Sequence, residues 1–242
     1  MRSDGRSLEQ MRPIQFDCGF IEHHAGSVVV SFGKTRVLTT AILTEGIPRF
    51  RKDEGKLGWL TAEYGMLPAS TITRKRRTSG GGRTDGRSVE IQRLIGRSLR
   101  QIINLDMLGE HTLQIDCDVL QADGGTRTAA ITGSYVAVAL CIKDAIAQKK
   151  IKCASLASVL SHQIAAISLG IKNGEVLTDL CYEEDVAVDT DFNLVARSDG
   201  AIVEMQGTAE GAAMSRPEVD QLLSSGLSAI EQLCALQREA LA

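Results

Sequence analysis

The sequence predicts one α+β unit built from two similar halves, and three observations carry that prediction. Gly33-Lys34 and Asn173-Gly174 each separate two apolar, β-branched runs, which is the pattern of strands joined by a tight turn. Each half also contains a stretch, one from Ser88 and one from Ser215, where apolar residues recur at three- and four-residue spacings, the period of an amphipathic helix. No Pro/Gly/Ser-rich linker divides the halves, so residues 1–242 are expected to form a single domain.

Residues 14–20 alternate weakly and predict a first strand, followed by a hairpin over Val28–Phe32 and Val37–Leu43. Gly33-Lys34-Thr35 is similar to the tail of a Walker A loop, but that loop needs glycine where Val28 stands, so it reads as a turn. The charged stretch 46–56 predicts a surface loop, and Leu57–Ala62 another strand. Arg74–Arg83 combines cations with three successive glycines and predicts a basic loop. The helix from Ser88 carries Ile91, Leu94, Ile95, Leu99, Ile102 and Ile103 on its apolar side. Arg93, Arg97 and Arg100 form a second stripe, expected to be solvated or salt-bridged, or a subunit contact if the protein forms a ring. Residues 111–120 alternate as a strand and deliver the chain to Gly124-Gly125, and a helix follows from about Thr128. That helix is rich in Ala and Gly, so its backbone packs close to a neighbour and it is expected to be buried under a sheet. Asn173-Gly174 turns a hairpin within 163–182, and Asp199-Gly200 joins 191–198 to 201–206. Ser215 and Pro217 mark the start of the last helix.

Composition narrows the class. The chain is 43% hydrophobic and 24% charged, ordinary for a globular protein, and its net charge of −3 excludes a generic polyanion binder. The 6 cysteines form no CxxC pair and have no His cluster nearby. A zinc site or disulfide framework is therefore not expected, and the thiols read as small buried groups in a reducing compartment. The polar start Met1–Arg6 is not a signal peptide, and no apolar run approaches a membrane span. The expectation is a cytoplasmic protein with no membrane partner.

The segment Asp118–Thr128 carries the most chemistry. A strand, a glycine turn and a helix start bring unpaired N–H groups and the positive end of a helix dipole to one place, with the Arg127 guanidinium beside them. Gly124 and Gly125 let an anion approach the backbone, so Gly125, Thr126 and Arg127 are candidates for binding a phosphate. Arg87 lies at the mouth of the Ser88 helix, where a cation is poorly placed unless an anion offsets it. The acids Asp179, Glu183, Glu184, Asp185, Asp189 and Asp191 crowd one stretch. Beside an anion site they suit Mg²⁺ or Mn²⁺ held by one or two carboxylates. The Arg74–Arg83 loop has cations without aromatics, which suits nucleic-acid backbone phosphates better than base reading. His23, His24, His111 and His162 have no nucleophilic partner at a suggestive spacing. Two anion-binding elements, a metal-capable acidic group and a basic loop point to phosphoryl transfer at a nucleic-acid end. The lack of an evident general base fits inorganic phosphate as a nucleophile that brings its own oxygen.

Five stretches, in order, resemble the ribonuclease PH family: Arg2–Arg6, Thr61–Pro68, Gly86–Arg100, Asp116–Thr128 and Val203–Gly211. The resemblance covers essentially the whole chain. It implies a fold of two pseudo-symmetric βαβ-containing halves with mixed sheets and central helices. It implies a phosphate-dependent 3′→5′ exoribonuclease that trims tRNA precursors, transfers the terminal nucleotide to inorganic phosphate and releases nucleoside diphosphates. Arg87, Gly125, Thr126 and Arg127 match the family's phosphate-binding positions, and Arg74 and Arg77 match its RNA-gripping loop. Asp179 and Asp185 match the acidic pair associated with metal and leaving-group chemistry, and are the catalytic and metal-binding candidates. The family implies a homohexameric ring, a trimer of dimers. Two departures concern the RNA grip: Ala69 stands where many relatives carry arginine, and the Gly80–Gly82 run is expected to be more flexible than usual. The alternative is a catalytically silent RNA-binding ring subunit of an exosome-like assembly, expected to lack the acidic pair or a phosphate arginine.

Overall fold

A computed structural model describes residues 2–77, 85–210 and 213–242. The first half opens with strands β1 (Ile14–Cys18), β2 (Ser27–Phe32) and β3 (Thr35–Glu45), paired antiparallel. Helix α1 (Arg49–Asp53), β4 (Trp59–Met66), α2 (Gly86–Arg100) and β5 (His111–Gln121) follow. The sheet order is β1-β2-β3-β5-β4. β4 and β5 run parallel and are joined through α2, a βαβ unit inside an otherwise antiparallel sheet. After β5 come α3 (Thr126–Ala147) and the single turn α4 (Leu156–Val159). The second half holds β6 (Ile164–Lys172), β7 (Glu175–Thr178), α5 (Tyr182–Asp185), β8 (Thr190–Arg197), β9 (Ile202–Ala209) and α6 (Arg216–Leu241). Its sheet, β7-β6-β8-β9, is antiparallel between neighbours, so β7 and β8 run in the same direction on either side of β6, with α5 between them in sequence.

α3 explains why the halves form one body. It packs on β2, β3 and β5 of the first sheet and on β6 of the second, and its small residues make that approach possible. A Cβ at Gly133 would lie 2.6 Å from Val30 Cγ1. α3 is also long and apolar enough to cross a membrane by composition, contrary to the expectation of no such run, but 78% of that window is buried inside the protein. A continuous apolar core runs through both sheets and includes Val30, Leu113, Ile131, Ile167 and Leu194. α6 closes the other face of the second sheet, packing on β6, β7 and β8. It starts as expected: Ser215 and Glu218 form a capping box, with the Ser215 backbone N–H donating to Glu218 Oε2 at 2.7 Å.

Three expectations change. The stretch 46–56 contains helix α1, and Arg51 is buried, its Nε donating to the Gly58 carbonyl at 3.0 Å. The Trp59 ring gives that guanidinium an aromatic face, which lets a charged stretch pack. The arginine stripe of α2 is not uniform. Arg93 is exposed, Arg97 pairs with Glu204 at 2.7 Å, and Arg100 lies 4.6 Å over Trp59 while donating to the Leu60 carbonyl. All six cysteines are free thiols; Cys18 is exposed rather than buried, and Cys153 is half-buried.

Candidate active site

The site lies where the two halves meet, and backbone geometry sets it. Gly124 and Gly125 have φ of +77° and +65°, the left-handed region that favours glycine. A Cβ on Gly124 would lie 2.5 Å from the Leu180 carbonyl oxygen and 2.8 Å from the Cys181 carbonyl carbon. The turn therefore rests directly on the segment of the second half that leads into α5. Thr35 fixes it from β3: its hydroxyl donates to the Gly124 carbonyl at 2.7 Å and accepts the Asp123 N–H at 2.9 Å. Gly125 is the N-cap of α3, so the first-turn N–H groups of that helix open at this point. Thr126 is buried and accepts a hydrogen bond from the Tyr64 hydroxyl of β4 at 2.8 Å. Arg127 reaches across to the second half, donating to Gln206 Oε1 at 2.8 Å and to Glu90 Oε1 of α2 at 3.2 Å.

A second helix start faces the same space. Asp85 caps α2 by accepting from the Arg87 N–H, and Lys75 Nζ pairs with that aspartate at 2.6 Å. A cavity of about 330 Å³ is lined by Arg87 and Lys75 on this side, by Gly124, Gly125, Thr126 and Arg127 at the start of α3, and by Ser168, Tyr182, Asp185, Asp191 and Asn193 of the second half. The four phosphate-binding candidates thus share one cavity. Lys75, a third cation, was not singled out by the sequence. Arg74 and Arg77 are exposed, and Arg77 lines an adjoining groove that shares Met66 and Lys75 with the cavity. The Gly80–Gly82 run lies outside the described residues.

The acidic side differs from expectation. Asp185, the last residue of α5, lines the cavity, but Asp179 does not. Asp179 is fully buried. Its Oδ2 accepts from the Arg12 backbone N–H at 2.8 Å and from Arg12 Nε at 2.9 Å, and its Oδ1 accepts from Arg12 Nη2 at 2.7 Å. Both oxygens are occupied by one guanidinium, so Asp179 is corrected from metal ligand and catalytic acid to partner of a buried ion pair. The carboxylate that joins Asp185 is Asp191 of β8. Asp191 and Asn193 alternate onto one face of that strand, and Asn193 is paired in register with Ser168 of β6. The Ser168 hydroxyl is buried and has no hydrogen-bond partner among the described residues. Burial pushes the Asp185 carboxyl up from the ordinary carboxylate range, against the pull of Arg87, Arg127 and Arg12. Asp191 is pushed up by burial and by the charge of Asp185, again against Arg127 and Arg87. Sequence reasoning noted Asp191 only within the acid run. Its alternation with Asn193 in an apolar strand was the signal that set it apart.

Chemically, the cavity opposes a cationic wall, with two helix N-termini behind it, to two carboxylates of raised proton affinity. That arrangement can hold a polyanion and deliver a proton to it. Residues 10–143 match the model of domain 1 of the 3′ exoribonuclease family, and residues 162–229 match that of its domain 2. A ribonuclease PH of Mycobacterium avium is 53% identical over 240 residues, spanning 99% of this chain and 91% of its own length. A ribonuclease PH of Nocardia farcinica is 53% identical over 247 residues, spanning 100% and 92%. Among solved structures, rice Rrp46 matches over 100% of both chains with a TM-score of 0.77 at 19% identity. A chain of the Archaeoglobus fulgidus exosome, solved with RNA bound to the active site, has a TM-score of 0.79 at 21% identity and covers 100% of this chain and 92% of that one. At those identities the two structures speak to the fold alone.

Proposed function

The chain belongs to the ribonuclease PH family of 3′ exoribonucleases, and from that premise we propose that the cavity between its halves is where orthophosphate attacks the 3′-terminal phosphodiester of RNA. The activity is phosphorolytic 3′→5′ exoribonuclease: the terminal nucleotide passes to inorganic phosphate and leaves as a nucleoside diphosphate. We assign tRNA precursors as the principal substrate, with a homohexameric ring as the working assembly. The family match supports both, and the exposed apolar side chains Ile202 and Met205 on edge strand β9 suit a subunit contact.

The observation that carries the proposal is that Arg87 and Arg127, each at the start of a different helix, line one cavity with Asp185. Two phosphates must meet for phosphorolysis, and their mutual repulsion is the main barrier the protein has to lower. Arg87, Arg127 and the α3 N–H groups around Thr126 neutralise the attacking orthophosphate, and Lys75 adds positive charge on the α2 side. An orthophosphate oxygen bonds to the terminal phosphorus as the bond from phosphorus to the preceding ribose O3′ breaks. That O3′ takes a proton. Asp185, whose carboxyl burial pushes up from the ordinary carboxylate range, is the donor. Arg74 and Arg77 guide the RNA strand toward the cavity.

The donor set of the acidic side fits a divalent cation. Asp191, the Asn193 amide and the Ser168 hydroxyl, which has no hydrogen-bond partner among the described residues, supply hard oxygen atoms, and Asp191 is pushed up by burial and by the neighbouring Asp185 charge, a repulsion that a cation relieves. These residues would hold Mg²⁺ or Mn²⁺, which when bound supplies positive charge to the scissile phosphate. The test is direct. A 3′-extended tRNA incubated with ³²P-orthophosphate should yield labelled nucleoside diphosphates, with no release when phosphate is omitted. Nucleoside monophosphates, or release independent of phosphate, would overturn the assignment. RNA binding with no release would point to the silent ring subunit, a reading disfavoured by the presence of both arginines and Asp185.

A further inference from the structure

We infer that Arg12 is a positioning residue of the phosphorolytic site: with Asp179 it forms a strut that ties the phosphate-binding turn of the first half to the acid-bearing segment of the second. Residues 2–12 form no helix or strand, yet Arg2, Arg6 and Arg12 are only 6%, 8% and 5% exposed. Three buried guanidinium groups in an irregular arm are costly unless each is fully paired. Apart from short contacts within the arm, their partners all lie in two places, the glycine turn and residues 178–184.

Arg2 grips Glu184 with Nε and Nη2, both at 2.6 Å, and donates through Nη1 to the Thr178 carbonyl at 2.7 Å and through Nη2 to the Asp179 carbonyl at 2.9 Å. Arg6 donates to the Asp179 carbonyl at 3.0 Å and to Glu184 Oε2 at 3.2 Å. The stretch that ends in Asp185 is thus pinned along its length. Arg12 alone reaches both sides. Its fork closes on both oxygens of Asp179, and its Nη1 donates to the carbonyl of Asp123, with Nη2 reaching the Gly124 carbonyl at 3.5 Å. Gly33 makes room for it, since a Cβ there would lie 2.9 Å from Arg12 Cδ. A planar, multi-donor guanidinium can hold a carboxylate and two carbonyls at once; a lysine ammonium cannot match that fork. The strut therefore sets the offset between the Gly125–Arg127 cradle and Asp185, and misplacing one reacting group by about 1 Å is enough to cost roughly 10²-fold in rate.

The inference rests on the phosphorolytic reading above, and its test separates the two. Purified Arg12→Lys is assayed beside the wild type for kcat, phosphate KM and RNA affinity. The strut predicts a kcat lowered by about 10²-fold, with phosphate KM and RNA Kd within about threefold of the wild type, because each half keeps its own binding groups. A kcat within twofold of the wild type for folded Arg12→Lys overturns the inference while leaving the phosphorolytic reading intact; a wild type that releases no diphosphate fails that reading first. Asp179→Asn separates strut from metal ligand. Here Mn²⁺ affinity, followed by electron paramagnetic resonance, is expected to match the wild type, and a large loss of Mn²⁺ binding overturns the inference. Should Asp179→Asn fail to fold, the paired change Arg12→Gln with Asp179→Asn removes both charges together. It is expected to fold, bind Mn²⁺ normally and show the kcat loss of Arg12→Lys, and full activity in it overturns the strut.

Discussion

Asp185 and Glu184 are neighbours in α5 with opposite titration behaviour, and the difference follows from what each faces. Asp185 is held up by burial, with three arginines pulling against it. As the proposed proton donor it works below its own pKa, so phosphorolysis should fall as pH rises through it. Arg127→Ala removes one of the charges that hold the pKa down, so the alkaline limb of the kcat profile should move to higher pH, and a limb that stays put or moves lower would remove Asp185 from the donor role. Asp185→Asn should lower kcat by about 10²- to 10⁴-fold in single-turnover assays while RNA binding persists. For Glu184, burial raises the pKa, but hydrogen bonds from Arg2 and the Cys181 N–H, with the charges of Arg2 and Arg6, bring it down to about 2. A depressed carboxylate contributes stability above its unfolded pKa of 4.5 and loses it as pH falls toward about 2. Melting curves should therefore drop steeply across that window, and Glu184→Gln should be less stable at neutral pH and flatter on acidification. Arg87, Thr126 and Arg127 were legible in the sequence because each belongs to a helix start whose local chemistry announces an anion. Arg12, Ser168 and Asn193 were not, because their meaning comes from partners far away in the chain. Asp179 shows the limit well: the sequence placed it in the acid run, but only the fold shows that its counter-charge is a guanidinium.

Two helix starts and one glycine turn do most of the construction. The turn must be glycine at 124 for two separate reasons, the left-handed φ of +77° and the carbonyl of Leu180 at 2.5 Å from any Cβ. Gly124→Ala should thus be destabilising by about 1–3 kcal/mol in urea titration, and should lose activity out of proportion, because the only way to relieve the contact is to part the halves at the site. Gly133→Ala provides the contrast within α3. It overpacks against Val30 and should cost about 1–3 kcal/mol, yet folded Gly133→Ala should keep the wild-type phosphate KM, since residue 133 is remote from the cradle. The hairpins at Gly33-Lys34 and Asn173-Gly174 were readable, as turn chemistry is local. α1 was hidden because a buried Arg51 looks like any other charge until Trp59 is placed beside it. The start of α3 at Thr126 rather than Thr128 was missed because Gly125 itself serves as the cap. Strand order, with β5 inserted between β3 and β4, left no local trace.

At the scale of the molecule, the site is a seam. Arg87, Thr126 and Arg127 come from the first half, and Asp185 and Asp191 from the second. α3 packs on both sheets and Arg12 bridges both site segments, so neither half can loosen without the seam opening. Anything that binds across the seam must then stabilise the whole chain rather than one part of it. On the proposed reading, orthophosphate would touch groups that exist together only in the folded state. At a concentration 100 times its Kd it should add about 2.7 kcal/mol of stability, which for a chain of 242 residues corresponds to roughly 5–11 °C in Tm. The rise should be a shift of one cooperative transition, followed by circular dichroism, with chloride at equal ionic strength as the control. Arg127→Ala should abolish most of that shift because the charge it removes lies on the cavity wall, whereas Gly133→Ala, which lowers the starting Tm, should keep the full increment. If phosphate instead raises the melting of only one of two resolved transitions, the two halves unfold independently and the cavity does not work as a single cross-seam anion site.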